Sequence, residues 1–297
     1  MKDLVGKTAF ISGGAAGMGL GMAKAFAGEG MNVVIADVRE EALEQARAEF
    51  PSDTGRLHVL RLDATNADDW VRAADEAEKL FGKVHVLCNN VGGGAGMLKD
   101  ATFEDWDWML DLNLRSQIRG VHTMLPRIRR HGEGGHIVNT SSLAGIAPVP
   151  GGGVYSVMKF AVTGMTESLR AELAGTNIGV SVLCPGLTQS SGATSRLRAE
   201  QEGRTVPAPP GRGPGADLMA IAMDPDEVGQ KVLRGVKRND LYILTHSEVR
   251  QFINEYFDEL LAAMPPPTPR PAPPPGAPPR QYSVRFGEVY ATARPEG

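Results

Sequence analysis

Four polar residues in the middle of the chain have the types and spacing that acid–base chemistry at a substrate oxygen requires. Tyr155 and Lys159 are four positions apart at the start of the helical pattern GVYSVMKFAVTG, so their side chains share one helix face. A phenol ordinarily titrates at about 10, but a neighbouring ammonium lowers that pKa, which makes the pair a tuned proton donor and acceptor. Ser142 lies 13 residues before Tyr155, just past an apolar run, where its hydroxyl can orient a substrate oxygen. Asn113 is polar within an apolar helical stretch, which indicates a buried hydrogen-bonding role.

A glycine-rich turn near the N-terminus has the context of a phosphate site. The apolar run at 8–12 leads into SGGAAGMG, and a helical pattern follows. Backbone N–H groups and the positive end of the helix would face a pyrophosphate, and glycines allow the backbone to approach it. Spaced glycines alone are a weak signal, but a strand before them and a helix after them are the required context. The turn predicts dinucleotide binding through Gly13, Ala16, Gly17, Met18 and Gly19.

A carboxylate at the end of the second apolar run indicates which dinucleotide would bind. Asp37 lies 18 residues after Gly19, where it can accept hydrogen bonds from ribose hydroxyls and would repel a 2′-phosphate. Gly14 supports this, because no Arg or Lys occupies the turn to bind a phosphate. These features favour NAD over NADP. Arg39 is the counter-argument, unless its side chain simply faces solvent.

A second carboxylate, Asp63, ends the third apolar run in RLDAT and is placed to meet the adenine amino group. Its alternative role is the N-cap of the helix that follows. Thr65 or Asn66 could provide that cap instead, so both roles of Asp63 stay open here.

Short apolar runs alternate with amphipathic stretches along most of the chain. The runs are rich in Val, Ile and Leu and are apolar on both faces, which is typical of parallel strands covered by helices on both sides. The predicted strands are 8–12, 32–36, 57–62, 84–88, 135–140, 179–184 and 241–244, and the predicted helices include 40–50, 67–81, 103–130 and 155–174. This repetition predicts an α/β fold, a doubly wound parallel sheet of about seven strands with helices on both faces.

Two segments depart from that pattern. Residues 188–225 are rich in Gly and Pro and follow the sixth predicted strand, at the edge where ligands bind in such sheets. They predict a lid; a surface insertion without regular structure is the alternative. Residues 265–280 are proline-rich and predict a polyproline II arm, with a proline-binding partner module as the less favoured explanation. We therefore predict one catalytic domain over 1–264 and a C-terminal arm over 265–297, which could cross to a partner subunit.

Composition excludes several classes of function. The chain has 297 residues, of which 42% are apolar and 22% charged, an ordinary globular mix. Its formal net charge of -4 provides no electrostatic footprint for nucleic acid or an anionic membrane. Cys88 and Cys184 lie in apolar runs typical of buried strands, and no zinc-ligand spacing occurs. Without a signal-peptide stretch or a run of about 20 apolar residues, we expect a cytoplasmic protein with no membrane or metal partner.

Together these motifs resemble the short-chain dehydrogenase/reductase family over about residues 4–250. The pieces that match are SGGAAGMG, Asp63, NNVG at 89–92, Asn113, Ser142, Tyr155 with Lys159, and Pro185-Gly186. The resemblance implies a Rossmann fold, a nicotinamide cofactor and a homodimer or homotetramer paired through the helices predicted at 103–130 and 155–174. Two departures are Ser12 for the usual Thr, which keeps the hydroxyl, and Val91 for the usual Ala.

The resemblance also implies a role for each matching residue. Tyr155 would be the general acid/base, and Ser142 would position the substrate oxygen; the 13-residue spacing to Tyr155 selects Ser142 over Ser141. Lys159 would hold the nicotinamide ribose and lower the Tyr155 pKa, and Asn113 would keep a water in a proton relay. The cofactor would be contacted by the glycine-rich turn, Asp37, Asp63, Ala64, Asn90, Val91, Gly92, Tyr155, Lys159, Pro185, Leu187, Thr188 and Ser190.

A finer resemblance covers the C-terminal third. SRLR at 195–198, the stretch 241–261 and the long tail are similar to bacterial NAD-dependent dehydrogenases that oxidise the benzylic Cα alcohol of lignin-derived aryl ethers. This implies an NAD-dependent oxidoreductase that interconverts a bulky, apolar or aromatic secondary alcohol and its ketone. Two other hypotheses are an NADPH-linked ketoreductase, and a cofactor-binding regulator that has the fold without turnover.

Overall fold

Seven parallel strands form one sheet in the order β3–β2–β1–β4–β5–β6–β7. The computed structural model describes residues 1–51, 55–94, 97–149, 151–189 and 222–266. The strands are β1 (Thr8–Ser12), β2 (Asn32–Asp37), β3 (Leu57–Arg61), β4 (Val86–Asn89), β5 (Gly135–Thr140), β6 (Ile178–Cys184) and β7 (Tyr242–Leu244). The predicted Rossmann-type doubly wound sheet is confirmed, and the predicted strands differ from these by at most two residues at either end.

Helices cover both faces because successive side chains of each strand point to opposite sides. In β1, Ile11 belongs to the apolar cluster on one face of the sheet. Phe10 packs against Trp70 on the other face, with ring centroids 5.8 Å apart. Both cysteines are free and buried, one in β4 and one in β6. The helices are α1 (Gly17–Gly28), α2 (Glu40–Ala48), α3 (Ala67–Phe81), α4 (Phe103–Leu110), α5 (Ser116–His131), α6 (Gly153–Glu172), α7 (Pro225–Arg238) and α8 (Arg250–Ala262).

The prediction of a single helix over 103–130 is wrong in one respect. A π-helical segment, Asp111–Arg115, separates α4 from α5. Within it the Ser116 N–H bonds to the carbonyl of Asp111, five residues back, and the Asn113 side chain instead donates to the Met109 carbonyl at 3.1 Å. Such one-turn widenings are frequent at functional sites. Here the widening turns Asn113 toward the carboxyl ends of the strands.

Much of the predicted lid and arm lies outside the described residues, as does Ser190. The two described ends of the lid segment meet, because Thr188 pairs with Met223 in a parallel β-bridge. The Met223 N–H donates to the Leu187 carbonyl at 3.0 Å, and the Gln189 N–H donates to the Met223 carbonyl at 3.1 Å. Both ends are therefore anchored beyond β6, next to the sheet edge.

In the described part of the chain, no helix combines the length and apolar character that crossing a bilayer demands.

Candidate active site

The four residues Asn113, Ser142, Tyr155 and Lys159, called the tetrad below, converge with the glycine-rich turn at the carboxyl ends of the central strands. The strand order reverses between β1 and β4, and in doubly wound sheets ligands bind in the crevice at that switch point. The turn after β1 and Asn90 after β4 border this switch point. Ser142 follows β5, the next strand of the sheet, and Tyr155 lies at the start of α6.

Lys159 is held on α6 with its ammonium directed at the end of β5. Its Nζ donates to the Thr140 carbonyl at 3.0 Å and lies 5.3 Å from the centroid of the Tyr155 ring. The side chain is only 2% exposed, and no ion-pair partner for it occurs among the described residues. Burial therefore lowers the pKa of Lys159 to about 8, partly opposed by the nearby Cys184 thiol. An ammonium of this kind is charged at neutral pH and close to its titration range.

The Tyr155 phenol lies near the side chain of Ser142. Burial raises the pKa of Tyr155, while the nearby Ser142 hydroxyl acts in the opposite direction. The expectation that Lys159 lowers the pKa of this phenol stays a prediction. Because burial disfavours the phenolate, nearby positive charge would favour its ionisation.

The two adjacent serines after β5 have different surroundings. Ser141 is buried, and its hydroxyl donates to the Lys159 carbonyl and bonds to the Thr163 hydroxyl, each at 2.8 Å. Ser142 begins the turn Leu143–Gly145, and its Oγ accepts from the Ala144 N–H at 3.2 Å. Ser141 thus ties β5 to α6, whereas Ser142 faces the phenol. This arrangement agrees with the spacing argument for Ser142.

Asn113 is fully buried and links the π-helical segment to the loop after β4. Its Oδ1 accepts from the Gly93 N–H at 2.8 Å, and its Nδ2 donates to the Gly93 carbonyl at 2.8 Å. A Cβ on Gly92 would lie 2.8 Å from both Asn113 Oδ1 and Lys159 Nζ, so this loop passes close to the tetrad. The amide therefore fixes the loop beside Lys159, and the role of Asn113 in a water relay stays a prediction.

The turn after β1 has the properties of a dinucleotide cradle. Gly17 has a left-handed φ of 54°, and a Cβ on Gly19 would overlap the Gly13 carbonyl, so both positions require glycine. Ala16 is the N-cap of α1 and offers no side-chain cap to the first N–H groups of the helix, among them that of Met18. Those donors, together with the helix dipole, suit a pyrophosphate.

Asn90 joins this turn to β4 and presents a buried acceptor. Its Nδ2 donates to the Gly13 carbonyl at 3.0 Å, and its N–H donates to Ser12 Oγ at 3.2 Å, so the hydroxyl of Ser12 is used structurally. Its Oδ1 is buried without a hydrogen-bond partner in the described residues. Val91, next in the chain, packs against the apolar cluster on the α3 side. A buried acceptor beside uncapped N–H groups fits a bound dinucleotide with its own hydroxyl donors.

Arg39 does not simply face solvent. Its Nε donates to Asp37 Oδ1 at 3.2 Å and its Nη2 to Oδ2 at 3.4 Å, while its backbone N–H also reaches Oδ1 at 3.2 Å. The Ala15 N–H donates to the second oxygen at 3.4 Å, which ties the carboxylate to the glycine-rich turn. Asp37 is buried, so the two residues form a partly buried ion pair at the predicted ribose position.

The N-cap alternative for Asp63 is excluded. Asn66 is the N-cap of α3, and its side chain accepts from the N–H groups of the next turn at 2.9 and 3.2 Å. Asp63 Oδ1 instead accepts from the N–H and hydroxyl of Thr65 at 2.9 and 2.7 Å. Ala64, beside it, is buried and its carbonyl accepts from the Trp70 indole at 3.1 Å. Contact with adenine stays a prediction for both residues.

The residues after β6 form a strap, defined here as 185–188, that runs past the Ser142 turn. The Pro185 carbonyl accepts from the Leu143 N–H at 3.0 Å. The Leu187 carbonyl and Thr188 connect the strap to the segment that begins at 222. Contact between the strap and the nicotinamide end of the cofactor stays a prediction, and Ser190 lies beyond the described range.

Two positioning residues were missed by sequence reasoning. Gln117 is buried one helical turn after Asn113, and its Nε2 donates to the carbonyls of Asn113 and Thr140 at 3.1 and 2.9 Å. Its i+4 spacing from Asn113 was an available signal. His246 contacts the strap from the end of β7. The Thr-His pair that ends the last apolar run was its only mark in the sequence.

Comparison with known proteins agrees with this arrangement. A model described as short chain dehydrogenase matches residues 7–202. The chain is similar to the C alpha-dehydrogenase of Sphingobium sp. (strain NBRC 103272 / SYK-6), with 36% identity over 272 residues, 90% of this chain and 89% of that protein. It is also similar to the cyclopentanol dehydrogenase of Comamonas testosteroni, with 34% identity over 232 residues, 76% of this chain and 88% of that protein.

Among solved structures, that of a short chain dehydrogenase/reductase from Burkholderia phymatum in complex with NAD matches with a TM-score of 0.79 and 30% identity. The match covers 92% of this chain and 100% of that one.

Proposed function

We propose, since the chain belongs to the short-chain dehydrogenase/reductase family, that it is an NAD-dependent dehydrogenase of a bulky secondary alcohol. Members of this family use nicotinamide cofactors, and this chain acts on alcohols. The proposed substrate is apolar or aromatic, with the hydroxyl at a benzylic carbon, and the product is the ketone. The observation that carries the proposal is the buried Lys159 ammonium 5.3 Å from the centroid of the Tyr155 ring, with the Ser142 side chain near the phenol.

In this mechanism the protein moves a proton while the carbinol carbon loses a hydride. Bound NAD supplies the hydride acceptor. Ser142 Oγ hydrogen-bonds the substrate oxygen, and the ionised Tyr155 Oη accepts the proton of the substrate hydroxyl. The C–H and O–H bonds break and the C=O bond forms, so the alcohol is oxidised by two electrons. The ammonium of Lys159 favours the phenolate and offsets the effect of burial on that phenol.

The buried carboxylate of Asp37 supports NAD as the cofactor. It is fixed by the Ala15 N–H at the end of β2, and a carboxylate can accept hydrogen bonds from ribose hydroxyls but repels a 2′-phosphate. One observation favours NADP as a second candidate: the Arg39 guanidinium lies on the same carboxylate and could turn to a 2′-phosphate. The corresponding activity would be an NADPH-linked ketoreductase.

An aromatic wall beside the tetrad supports a bulky, flat substrate. Trp106 and Trp108 of α4 are partly buried and pack with Met109 and Val154 next to Tyr155. Indole faces and methionine sulfur make favourable contacts with aryl rings. Similarity to a C alpha-dehydrogenase is consistent with this substrate class, whereas similarity to a cyclopentanol dehydrogenase keeps alicyclic alcohols as the competing class.

Exposed apolar side chains on α4, α5 and α6 support the proposal of a homo-oligomer. Phe103 is 89% exposed, and Ile118, Val157 and Phe160 are each more than a third exposed. These helices are the faces predicted to pair. A catalytic domain over 1–264 with a separate arm is part of the same proposal.

The test is a panel of alcohols assayed for reduction of NAD, with NADP in parallel. We expect turnover of aryl carbinols such as 1-phenylethanol, with a kcat/KM at least about tenfold higher for NAD than for NADP. Turnover of cyclopentanol-like alcohols alone would keep the mechanism and overturn the aromatic substrate. A preference for NADP would favour the ketoreductase, and NADH binding without turnover of any alcohol or ketone would favour the regulator.

A further inference from the structure

One histidine outside the tetrad hydrogen-bonds two peptide groups of the strap, 185–186 and 187–188. His246 follows β7 and is 8% exposed. The Gly186 N–H donates to its Nδ1 at 3.1 Å, and its Nε2 lies 3.0 Å from the Leu187 carbonyl oxygen. The ring lies so close to Gly186 that a Cβ there would be 2.7 Å from the ring carbon Cγ.

These partners specify one protonation form of the ring. A backbone N–H can only donate, so Nδ1 must accept, and a carbonyl can only accept, so Nε2 must carry a proton. His246 therefore contacts the strap through Nδ1 as acceptor and Nε2 as donor. The Thr245 hydroxyl, 2.5 Å from Nδ1 and 3.3 Å from the Gly186 nitrogen, completes the contact.

The strap connects the residues bound by His246 to two neighbouring segments. Toward the tetrad, the Pro185 carbonyl holds the Leu143 N–H of the turn that begins with Ser142. On the other side, the Leu187 carbonyl that meets His246 also accepts from the Met223 N–H. His246 thus braces the peptide from which Thr188 extends, as well as the peptide chain that leads back to Ser142.

We propose that His246 is a positioning residue for hydride transfer, and this inference rests on the proposed function. By fixing Gly186 N–H and the Leu187 carbonyl, His246 holds the strap in position. The backbone of the strap and Thr188 could then contact the carboxamide end of a nicotinamide. A ring that only stabilised the fold would affect both ends of the cofactor alike. A ring that positions the strap affects the nicotinamide end and leaves the adenosine end unchanged, because the glycine-rich turn and Asp37 lie on other strands.

Two variants separate the two hydrogen bonds. In His246→Asn the amide oxygen stands in the position of Nδ1 and keeps the acceptor for Gly186. In His246→Gln the amide nitrogen reaches the position of Nε2 and keeps the donor to Leu187. His246→Leu removes both polar contacts while keeping apolar bulk. His58→Leu is the matched control, because His58 is a partly buried histidine of β3 bonded to Glu76 at 2.7 Å, at the opposite edge of the sheet.

The experiment measures the Kd of NADH and of ADP-ribose, which lacks the nicotinamide, together with kcat and KM on the best alcohol. For His246→Leu we expect NADH binding weaker by about tenfold and kcat lower by about tenfold, since each lost hydrogen bond costs roughly a factor of 2–10. The Kd of ADP-ribose should change less than about twofold. The Asn and Gln variants should lie between this variant and the wild type, and His58→Leu should match the wild type.

Three results would overturn the inference. Equal weakening of NADH and ADP-ribose would assign His246 to the fold, and unchanged NADH binding and kcat in all three variants would remove its role altogether. If His246→Leu fails to fold, the Asn and Gln variants decide between these outcomes. If the wild-type protein binds no dinucleotide, both the proposed function and this inference are overturned. If wild type and variants bind the cofactor equally well, only the role of His246 is overturned.

Discussion

The two ends of the parallel sheet carry clusters of polar side chains with opposite relations to the fold. At the amino end, His85 Nδ1 accepts from the Thr8 N–H at 3.1 Å, and its Nε2 bonds to Glu133 at 2.9 Å. The Glu133 N–H donates to His131 Nδ1 at 3.2 Å, and His131 Nε2 bonds to the Val84 carbonyl at 3.0 Å. His85, His131 and Glu133 satisfy one another and the backbone around them, although the Thr8 hydroxyl at this end is buried without a hydrogen-bond partner among the described residues.

At the carboxyl end, polar groups are buried without being satisfied by the protein. Among the described residues, the Thr140 carbonyl is the only hydrogen-bond partner of the Lys159 ammonium. The Asn90 amide oxygen and the Thr140 hydroxyl are buried without hydrogen-bond partners in the parts of the chain that the structure describes. Burial of such groups costs stability, and proteins retain them where a ligand or a reaction uses them.

The difference explains why clustering of ligand-type side chains is a poor guide to function by itself. The ligand atoms of His85, His131 and Glu133 lie within 4.8 Å of one another, a spacing that a metal ion could span. However, each Nδ1 lone pair is occupied by a backbone N–H, each Nε2 donates its proton, and Glu133 is paired with Lys83. A metal would have to break these bonds, so the cluster braces the amino end of the sheet.

The largest expected effect is at the carboxyl end, in Tyr155→Phe. Loss of the phenolic proton acceptor should lower kcat by about 10³-fold, within the range of general acid–base catalysis. The Tm should change by no more than about 2 °C, and the Kd of NADH by less than about threefold, because the substitution removes only the hydroxyl and keeps the ring that packs against Met109, Val154 and Met158. Stopped-flow turnover and a thermal melt test this. Retention of more than about a tenth of wild-type kcat would remove Tyr155 from its role.

The choice between NAD and NADP provides the next test of the carboxyl end of the sheet. Asp37→Ser should lower the ratio of kcat/KM for NAD to that for NADP by about 100-fold, because it removes a charged acceptor for the ribose and a repulsive charge near the 2′ position. The double change with Arg39→Ala should lose the gain in NADP use if the guanidinium binds the phosphate. An unchanged ratio in Asp37→Ser would contradict the assignment of this carboxylate to the ribose.

Sequence could predict the sheet and most of the site because both depend on local pattern. Apolar runs identify strands, strand ends face one edge, and the 13-residue spacing from Ser142 to Tyr155 spans one turn between β5 and α6. The π-helical segment could not be predicted, since five residues are too few for a period of 3.6 to be told from a wider one. Asn113 was identified by its polarity, but its bonds to Gly93 depend on that widening.

Pairings between distant or flexible side chains were the other limit. Arg39 could have faced solvent or Asp37, and only the folded position of β2 against the glycine-rich turn decides between them. His246 meets Gly186 across 60 positions of sequence, through the parallel pairing of β6 with β7. Nothing local marks such a contact, so the strap was predicted without the residue that supports it.

A smaller effect separates the two ends by their pH dependence. The folded chain releases the Lys159 proton at about pH 8, whereas its ordinary pKa is 10.5, so the unfolded state binds more protons between these values. The free energy of unfolding contributed by this group therefore rises with pH in that window. The Tm of Lys159→Met relative to wild type should accordingly fall by about 4 °C as the pH rises from 8 to 10.5. A pH-independent difference would show that burial does not penalise the ammonium.

Glu133→Gln should have the smallest effect on stability, and this effect should depend on pH in the acidic range. Lys83 and His85 lower the pKa of Glu133 to about 2 from its ordinary 4.5, so the charged form is stabilised in the folded chain. This contribution is fully present above pH 4.5 and is lost as the pH falls toward 2. The variant should melt on the order of 2 °C below wild type at pH 7 and converge with it in acid, with kcat unchanged. A loss of kcat in Glu133→Gln would contradict the division of labour between the two ends of the sheet, because no side chain of the amino-end cluster contacts the tetrad among the described residues.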